Sequence, residues 1–186
     1  MTVAAICVFC ASSRTLDERW LALAAEAGRE IGRRGHTLVS GGALVGMMGA
    51  VAAAARQAGA HTIGIIPQSL VDIEIADPAS AELIVTDGMF DRKVLMIEKA
   101  DAFLTLPGGL GTLDELFEVW TTGSLGMHHK PSVIVDADGF YTGLLDWLRG
   151  LPPQRFARPE AMDLLAVAPD VTAALDLIEG SPGWTR

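Results

Sequence analysis

The sequence predicts a doubly wound α/β fold, in which helices cover both faces of a mostly parallel sheet. Two observations indicate this. Short apolar runs of strand length alternate along the chain with longer segments that have helical spacing. The short runs are apolar throughout rather than at every second position, which is typical of strands buried on both faces of a parallel sheet.

The first β-α unit illustrates the pattern. Residues 4–11 form an apolar run, and a segment with helical spacing extends from Leu16 to Arg34 and ends at Gly35. The same alternation recurs to the end of the chain. It predicts strands at 37–40, 61–66, 83–86, 102–106, 132–135 and 164–167, and helices ending at 58, over 91–100, from 112, over 141–148 and over 170–179.

Size and composition predict one domain over residues 1–186. A chain of this length with 50% hydrophobic residues can fill a single core. Its longest apolar stretches are far shorter than the roughly 20 residues that span a bilayer, and its first residues lack the basic and apolar regions of a secretory signal. We therefore expect a cytoplasmic protein that does not contact a membrane.

The net charge of −9 argues against nucleic acid as a partner, since binding to a phosphate backbone requires a basic surface. A small phosphorylated ligand remains possible, because backbone amides and one or two cations can bind it locally. Cys7 and Cys10 match the bare CxxC pattern of metal and redox sites. In a strand, residues three apart point to opposite faces, so we interpret both cysteines as structural.

In open parallel sheets ligands bind beyond the carboxyl ends of the strands, and two glycine-rich turns follow predicted strands. The first turn contains Gly41, Gly42, Gly46 and Gly49 and precedes an alanine-rich helix. Such a turn presents backbone amides to an anion at the helix N-terminus, although a tight connection with close helix packing is an equally good interpretation. A long loop over 67–81 lies between the third and fourth predicted strands and is a further candidate for ligand contacts.

The second turn, Pro107-Gly108-Gly109-Leu110-Gly111-Thr112, precedes a helix that we expect to begin at Thr112. The spacing Thr112-x-x-Glu115 is a capping box, which would make Glu115 a structural residue of the first helical turn. Its position beside a glycine-lined anion site instead favours a carboxylate that faces a developing cation. Arg92 and Lys93 lie in the predicted helix over 91–100, before the strand at 102–106. Such a pair of cations would ordinarily lie on an exposed helix surface. Because the chain is so acidic, the two residues become candidates for binding an anionic ligand.

Four segments, in this order and spacing, resemble the LOG family of cytokinin riboside 5′-monophosphate phosphoribohydrolases, whose members are often mislabelled lysine decarboxylases. They are SGGALVGMMG at 40–49, MFDRKVLM at 89–96, PGGLGTLDE at 107–115 and LGMHHKP at 125–131. The resemblance extends from about Ile6 to Leu148. It implies a Rossmann-like homodimer that hydrolyses a nucleoside 5′-monophosphate to a free base and ribose 5-phosphate without a metal or cofactor. Phe90, Thr122 and Ser124 depart from the common family pattern near the presumed base pocket.

The resemblance also implies roles for individual residues. Arg92 and Glu115 match the catalytic pair of the family. The substrate contacts would be Glu74, Arg92, Lys93, Gly109, Leu110, Gly111, Thr112, Leu113, Asp114, Glu115 and Thr121, and the phosphate-binding turns would contain Gly41, Gly42, Gly46, Gly49, Gly108, Gly109, Gly111 and Thr112.

Cleavage of the bond between ribose C1′ and a purine nitrogen develops positive charge on the sugar, so the reaction needs a carboxylate near C1′ and a positioned water. Glu115 suits either role, and the sequence does not separate them. The alternative function is that of a nucleotide sensor or carrier without catalytic activity, because a fold does not fix a function.

Overall fold

The computed structural model describes residues 3–73 and 75–184, and within them seven parallel strands form one sheet in the order β4-β3-β2-β1-β5-β6-β7. The strands are β1 Ala5–Phe9, β2 Thr37–Ser40, β3 Thr62–Pro67, β4 Glu82–Thr86, β5 Ala102–Thr105, β6 Ser132–Val135 and β7 Leu165–Ala168. The chain builds outward from β1 to β4 and then returns to place β5 on the other side of β1. The carboxyl ends of β1 and β5 therefore flank the switch point of the sheet, where doubly wound proteins bind ligands.

Six of the eight helices in the described residues lie where the alternation predicts a helix. The eight helices are α1 Glu18–Arg33, α2 Gly46–Gln57, α3 Gln68–Val71, α4 Met89–Lys99, α5 Leu110–Ser124, α6 Thr142–Arg149, α7 Pro159–Met162 and α8 Val171–Glu179, and short 3-10 turns span Ala137–Gly139 and Pro182–Trp184. The prediction missed α3 and α7, because a helix of 4 residues is a single turn and leaves no periodic pattern to detect.

The core lies on both faces of the sheet. Helices α1, α2 and α8 pack with β1, β5 and β6 on one face, whereas α4, α5 and α6 cover the other. Cys10 belongs to the first of these clusters and Cys7 to the second, which confirms that the two thiols point in opposite directions. Burial raises the pKa of both thiols, so neither is activated for redox or metal chemistry.

The close approach of α1 and α2 requires a glycine. A Cβ on Gly28 would lie 2.2 Å from the carbonyl oxygen of Val51, so any side chain here would separate the helices. This contact holds α2 against the core. It thereby also positions the first residues of α2 and the glycine turn before them.

Strand β4 departs from the prediction that both sheet faces are covered. Leu83 is 36% exposed and Val85 is 46% exposed, while the residues between and beside them are half-buried. β4 is an edge strand and pairs with β3. The face of β4 that carries Leu83 and Val85 is left exposed by the flanking helices. None of the helices described in residues 3–73 and 75–184 is long and apolar enough to span a bilayer.

Candidate active site

The turn between β5 and α5 starts its helix earlier than the sequence suggested. Gly109 is the N-cap of α5 and Leu110 its first helical residue, so Thr112 is the third residue of the helix and Glu115 lies in the second turn. The capping-box interpretation is therefore wrong. Thr112 is buried and packs on Gly108, where a Cβ would lie 2.1 Å from its Oγ1. This packing, which local sequence patterns do not reveal, sets where the helix begins.

Glu115 instead forms a buried ion pair with Arg92 of α4. Nη1 of Arg92 donates to Oε1 of Glu115 at 2.7 Å. Arg92 is only 5% exposed and Glu115 9% exposed, so the expectation that Arg92 lies on an open helix surface is also wrong. The guanidinium is held a second time, because its Nε donates to the carbonyl oxygen of Ile65 in β3 at 3.1 Å.

The first glycine turn takes part in this arrangement directly. A Cβ on Gly41 would lie 2.0 Å from Nη2 of Arg92, so the guanidinium occupies the space that a side chain would need. Gly42 follows with φ of +70°, a conformation that side chains other than that of glycine rarely adopt. The sequence left open whether this turn binds an anion or is only a tight connection, and neither interpretation included its contact with the cation.

Burial raises the pKa of the Glu115 carboxyl, and the neighbouring Arg92 charge only partly offsets that effect. Within the described residues, Oε2 of Glu115 has no hydrogen-bond donor, whereas Oε1 is held by Arg92. A small cavity beside the carboxylate is lined by Phe9, Met96 and Val119, among others. The site thus contains a carboxylate of raised pKa, whose Oε1 is bound to Arg92 and whose Oε2 is free to contact a ligand.

Lys93, next to Arg92, lies on the outer side of the same helix pair. Its Nζ bonds to Asp114 at 3.1 Å and to Glu118 at 3.0 Å, and it lies 5.6 Å above the ring of Phe90. Burial alone would lower the pKa of Lys93, but the hydrogen bonds to the two carboxylates outweigh it and raise the pKa. Lys93 therefore stays charged and joins α4 to α5.

The remaining residues of the predicted phosphate turns have varied surroundings. A Cβ on Gly46 would lie 2.5 Å from the Ser13 carbonyl oxygen, and one on Gly49 would lie 2.2 Å from the Leu44 carbonyl oxygen, so close packing alone requires both glycines. Gly109 and Gly111 have open space around them. Leu110 is exposed, and Leu113 is half-buried beneath the helix.

Two predicted substrate contacts remain, Glu74 and Thr121. Glu74 lies outside the described residues. Thr121 is exposed on α5, six positions after Glu115. Six residues turn an α-helix by a net ~120° and advance it by ~9 Å. The structure therefore does not bring Thr121 to the Arg92–Glu115 pair within one copy of the chain.

The loop after β3 is hydrogen-bonded to the first glycine turn, a contact that no sequence pattern predicted. The Leu44 amide donates to the Ile75 carbonyl oxygen at 2.8 Å, and the Asp77 amide donates to the Gly42 carbonyl oxygen at 2.8 Å. Asp77 is buried and pairs with Arg56 of α2 at 2.7 Å. An aspartate in a loop and an arginine in α2, 21 positions earlier, give no pairing signal in one sequence.

The fold and the site define the class of this protein: it is a Rossmann-like α/β enzyme with a buried acid–cation pair near the switch point. In residues 3–73 and 75–184, no three His, Cys, Asp or Glu side chains are grouped to hold a metal ion.

Comparison with known proteins specifies the family. A family model described as "Possible lysine decarboxylase" matches residues 48–178. A cytokinin riboside 5′-monophosphate phosphoribohydrolase of Mycobacterium tuberculosis is 52% identical over 170 residues, which are 91% of this chain and 90% of that protein. The enzyme of the same name, LOG, from Oryza sativa subsp. japonica is 40% identical over 164 residues, 88% of this chain and 68% of that protein.

The chain belongs to this LOG family, and it is an enzyme of the hydrolase class. Among solved structures, a molybdenum cofactor binding protein from Rippkaea orientalis superposes with a TM-score of 0.72 at 23% identity, covering 96% of this chain and 97% of that one. At that identity the similarity shows the shared Rossmann-like fold alone.

Proposed function

We propose that this enzyme hydrolyses the N-glycosidic bond of cytokinin riboside 5′-monophosphates, and of AMP, to a free base and ribose 5-phosphate. The buried Arg92–Glu115 pair carries the proposal, because it places a carboxylate of raised pKa at the carboxyl edge of the sheet, between two glycine turns. The names of the similar proteins support the same reaction. We place it in the cytoplasm, a reducing compartment that suits the free thiols of Cys7 and Cys10.

Glu115 supplies the chemistry at C1′. As the bond to the base lengthens, positive charge develops on the sugar, and a desolvated carboxylate stabilises it strongly. The same group can accept a proton from the attacking water, since burial raises its basicity toward neutral pH. The free Oε2 is the atom that faces the sugar or the water, while Oε1 stays bound to Arg92.

Arg92 keeps the carboxylate in place and negatively charged. Its guanidinium offers N–H donors in a fixed planar fork and no acceptor, so we assign it to orienting and binding. The hydrogen bond to Ile65 and the contact with Gly41 hold it rigidly, which pre-organises Glu115 before substrate arrives.

The 5′-phosphate binds at the start of α5. The first amides of a helix have no partner within the helix, and the helix dipole favours an anion at this end. Here those amides belong to residues 109–112, where two glycines leave open space for the ligand. Lys93, paired with Asp114 at the outer side of this helix, adds a cation nearby.

We infer that the enzyme works as a homodimer in which Thr121 serves the site of the partner. Thr121 points away from Glu115 on its own helix and lies beside a groove with Phe117 and Ser124. On the adjacent helix the apolar side chains of Phe90 and Val94 are one turn apart and exposed. Large exposed apolar residues on neighbouring helices are typical of a contact between chains.

The family description as a lysine decarboxylase does not suit these lysines. A Schiff base to a pyridoxal cofactor requires a lysine whose amine can be freed. Lys93 is paired with two carboxylates, and Lys99 lies 3.7 Å from Glu82. Nζ of Lys130 donates to the Ile97 carbonyl oxygen at 2.6 Å. Each amine is thus committed to a structural contact.

The deciding experiment incubates the purified enzyme with AMP, isopentenyladenosine monophosphate and the two matching nucleosides, and resolves the free base by chromatography. We expect base and ribose 5-phosphate in equal amounts from the monophosphates, and far slower release from the nucleosides, because phosphate binding energy must be used at C1′. Equal rates on AMP and adenosine would contradict the proposed use of the phosphate. Tight nucleotide binding without any base release would favour a carrier.

A further inference from the structure

Tyr141 is the one tyrosine of the chain, and it lies beneath the turn that leads into α5. Its side chain is buried at 2% exposure. The hydroxyl donates a hydrogen bond to the carbonyl oxygen of Leu106 at 2.9 Å, across 35 positions of sequence. Leu106 directly precedes Pro107 and the two glycines of the turn.

The hydroxyl stays in its neutral, donating form. Burial raises the pKa of Tyr141, so the proton that bonds to the Leu106 carbonyl oxygen is retained. The end of β5 and the turn that follows it are therefore joined to Tyr141 through one buried hydrogen bond.

The turn is held from the other side by β1. The Leu106 amide donates to the Phe9 carbonyl oxygen at 2.9 Å, and the Ala11 amide donates to the Pro107 carbonyl oxygen at 3.2 Å. The β1 side thus fixes the turn with backbone groups, and the α6 side fixes it with the side chain of Tyr141.

Tyr141 is itself fixed by Asp136, which follows β6. The Tyr141 amide donates to Oδ1 of Asp136 at 2.6 Å, and the Thr142 hydroxyl donates to Oδ2 at 2.8 Å. The ring of Phe140 packs edge-on against the Tyr141 ring at 4.8 Å between centroids. The hydroxyl is consequently presented to the turn by a rigid support.

We propose that Tyr141 is a positioning residue for the 5′-phosphate, acting through the turn at residues 106–109. The turn that Tyr141 holds at Leu106 leads directly into the amides of residues 109–112, so the direction of those amides toward the phosphate depends on it. This inference rests on the proposed function, because it names the residue that aligns the anion site of that reaction.

The first test is Tyr141→Phe, which removes the hydroxyl and keeps the ring. We expect the inhibition constant of ribose 5-phosphate and the KM of AMP to rise about tenfold, since an unpaired buried backbone group disturbs the turn. The inhibition constant of free adenine should stay unchanged, because adenine carries no phosphate for these amides to bind. Phe140→Leu is the matched control: it disturbs the packing of the same ring but keeps the hydroxyl bond to Leu106, and it should leave both inhibition constants at wild-type values.

A loss of stability alone would affect ribose 5-phosphate and adenine equally, so an equal rise in both inhibition constants overturns the inference. So does a Tyr141→Phe enzyme that binds ribose 5-phosphate as tightly as wild type.

The second test uses the single tyrosine as a probe that needs no turnover. Enzyme labelled with 3-fluorotyrosine gives one ¹⁹F resonance, which reports the surroundings of Tyr141. We expect inorganic phosphate and ribose 5-phosphate to shift it saturably, with the dissociation constants found by calorimetry. Bound phosphate without a shift, or no phosphate binding at all, overturns the inference. An enzyme that releases no base from any nucleotide but shows the shift would instead overturn the proposed function alone.

Discussion

Nη1 of Arg92 and Oε1 of Glu115 lie 2.7 Å apart, across 23 positions of sequence, in a pair that is buried on both sides. Removal of one member of a buried pair leaves the other charge without compensation and costs stability. Catalysis and stability are therefore coupled at this pair, and experiments on either residue must measure both.

Glu115→Gln is the first prediction. The amide keeps the shape of the side chain but cannot accept a proton or offset a cationic sugar, so turnover of AMP should fall at least ~10²-fold. The melting temperature should also fall, because Arg92 loses its counter-charge. Activity and thermal melting are measured beside Glu98→Gln, which removes a charge from an exposed glutamate of α4 and should behave like wild type.

A double variant separates the two effects. Arg92→Met with Glu115→Gln removes both charges, so its melting temperature should exceed the value obtained by adding the two single losses. Its activity should not recover. If Glu115→Gln alone hydrolyses AMP within about threefold of wild type, well inside the effect expected of a general base, then the pair is structural and the mechanism is wrong.

Gly41→Ala is the second prediction and tests whether the glycine turn positions the cation. The added methyl would lie 2.0 Å from Nη2 of Arg92, and that side chain cannot swing aside without losing its bonds to Ile65 and Glu115. Turnover of AMP should therefore drop by about tenfold or more, the loss expected when a charge-assisted hydrogen bond is broken. Gly143→Ala is the control.

Gly143 has open space around it on α6, so its alanine variant should keep wild-type activity and gain slightly in helix stability. A Gly41→Ala enzyme with wild-type turnover would show that the guanidinium has another equally good position.

Much of this fold follows from periodicity. The predicted bounds of the strands at 37–40 and 132–135 are those of β2 and β6, because each is a short, mainly apolar run set off from its neighbours by turn residues. The first residue of α5 was predicted two positions late. Glycine and an exposed leucine are poor local signals for a helix start, and the burial of Thr112 that favours the earlier start is a tertiary effect.

The residues of the candidate site were found by motif, but their arrangement was not. Arg92 is buried because β3, α5 and the first glycine turn converge on it, and such convergence has no counterpart in the local sequence. Asp77 and Tyr141 act through backbone groups far along the chain. One sequence shows neither kind of contact, which is why the motifs named candidate residues without their surroundings.

The third prediction concerns the Arg56–Asp77 pair, which fastens residues 75–77 to the first glycine turn. Asp77→Asn weakens this ion pair, so the short antiparallel contact with residues 42–44 should open more often. Hydrogen exchange of the Leu44 amide, which bonds to Ile75, should speed up markedly, whereas exchange in the core of α8 should not.

Glu74, a predicted substrate contact, directly precedes residues 75–77 in the sequence. We therefore expect the KM of AMP to rise in Asp77→Asn as well. Arg149→Met is the control, since it breaks a pair with Asp146 that is exposed on both sides, and such pairs contribute little. Unchanged exchange at Leu44 in Asp77→Asn would show that the backbone contacts hold the segment without the ion pair.

The last prediction concerns His128, which the structure holds as a neutral imidazole. Its Nε2 donates to the Val119 carbonyl oxygen at 3.0 Å, and its Nδ1 accepts from the Lys130 amide at 3.3 Å. Protonation of Nδ1 would set two donors against each other. Burial lowers the pKa of His128 from its ordinary value of 6.5, in agreement with this geometry.

The sign of the pH effect follows from that shift. Because the pKa is lower in the folded state, the unfolded chain takes up the proton first as the pH falls through 6.5. The free energy of unfolding therefore decreases below that pH, until the folded pKa is also passed. His128→Gln removes this proton uptake, so its urea-unfolding free energy should vary less than that of wild type between about pH 8 and about pH 5. His129→Gln changes the exposed neighbour and should keep the wild-type slope. Parallel curves for wild type and His128→Gln would mean that His128 titrates alike in both states, and that its hydrogen bonds do not select the neutral form.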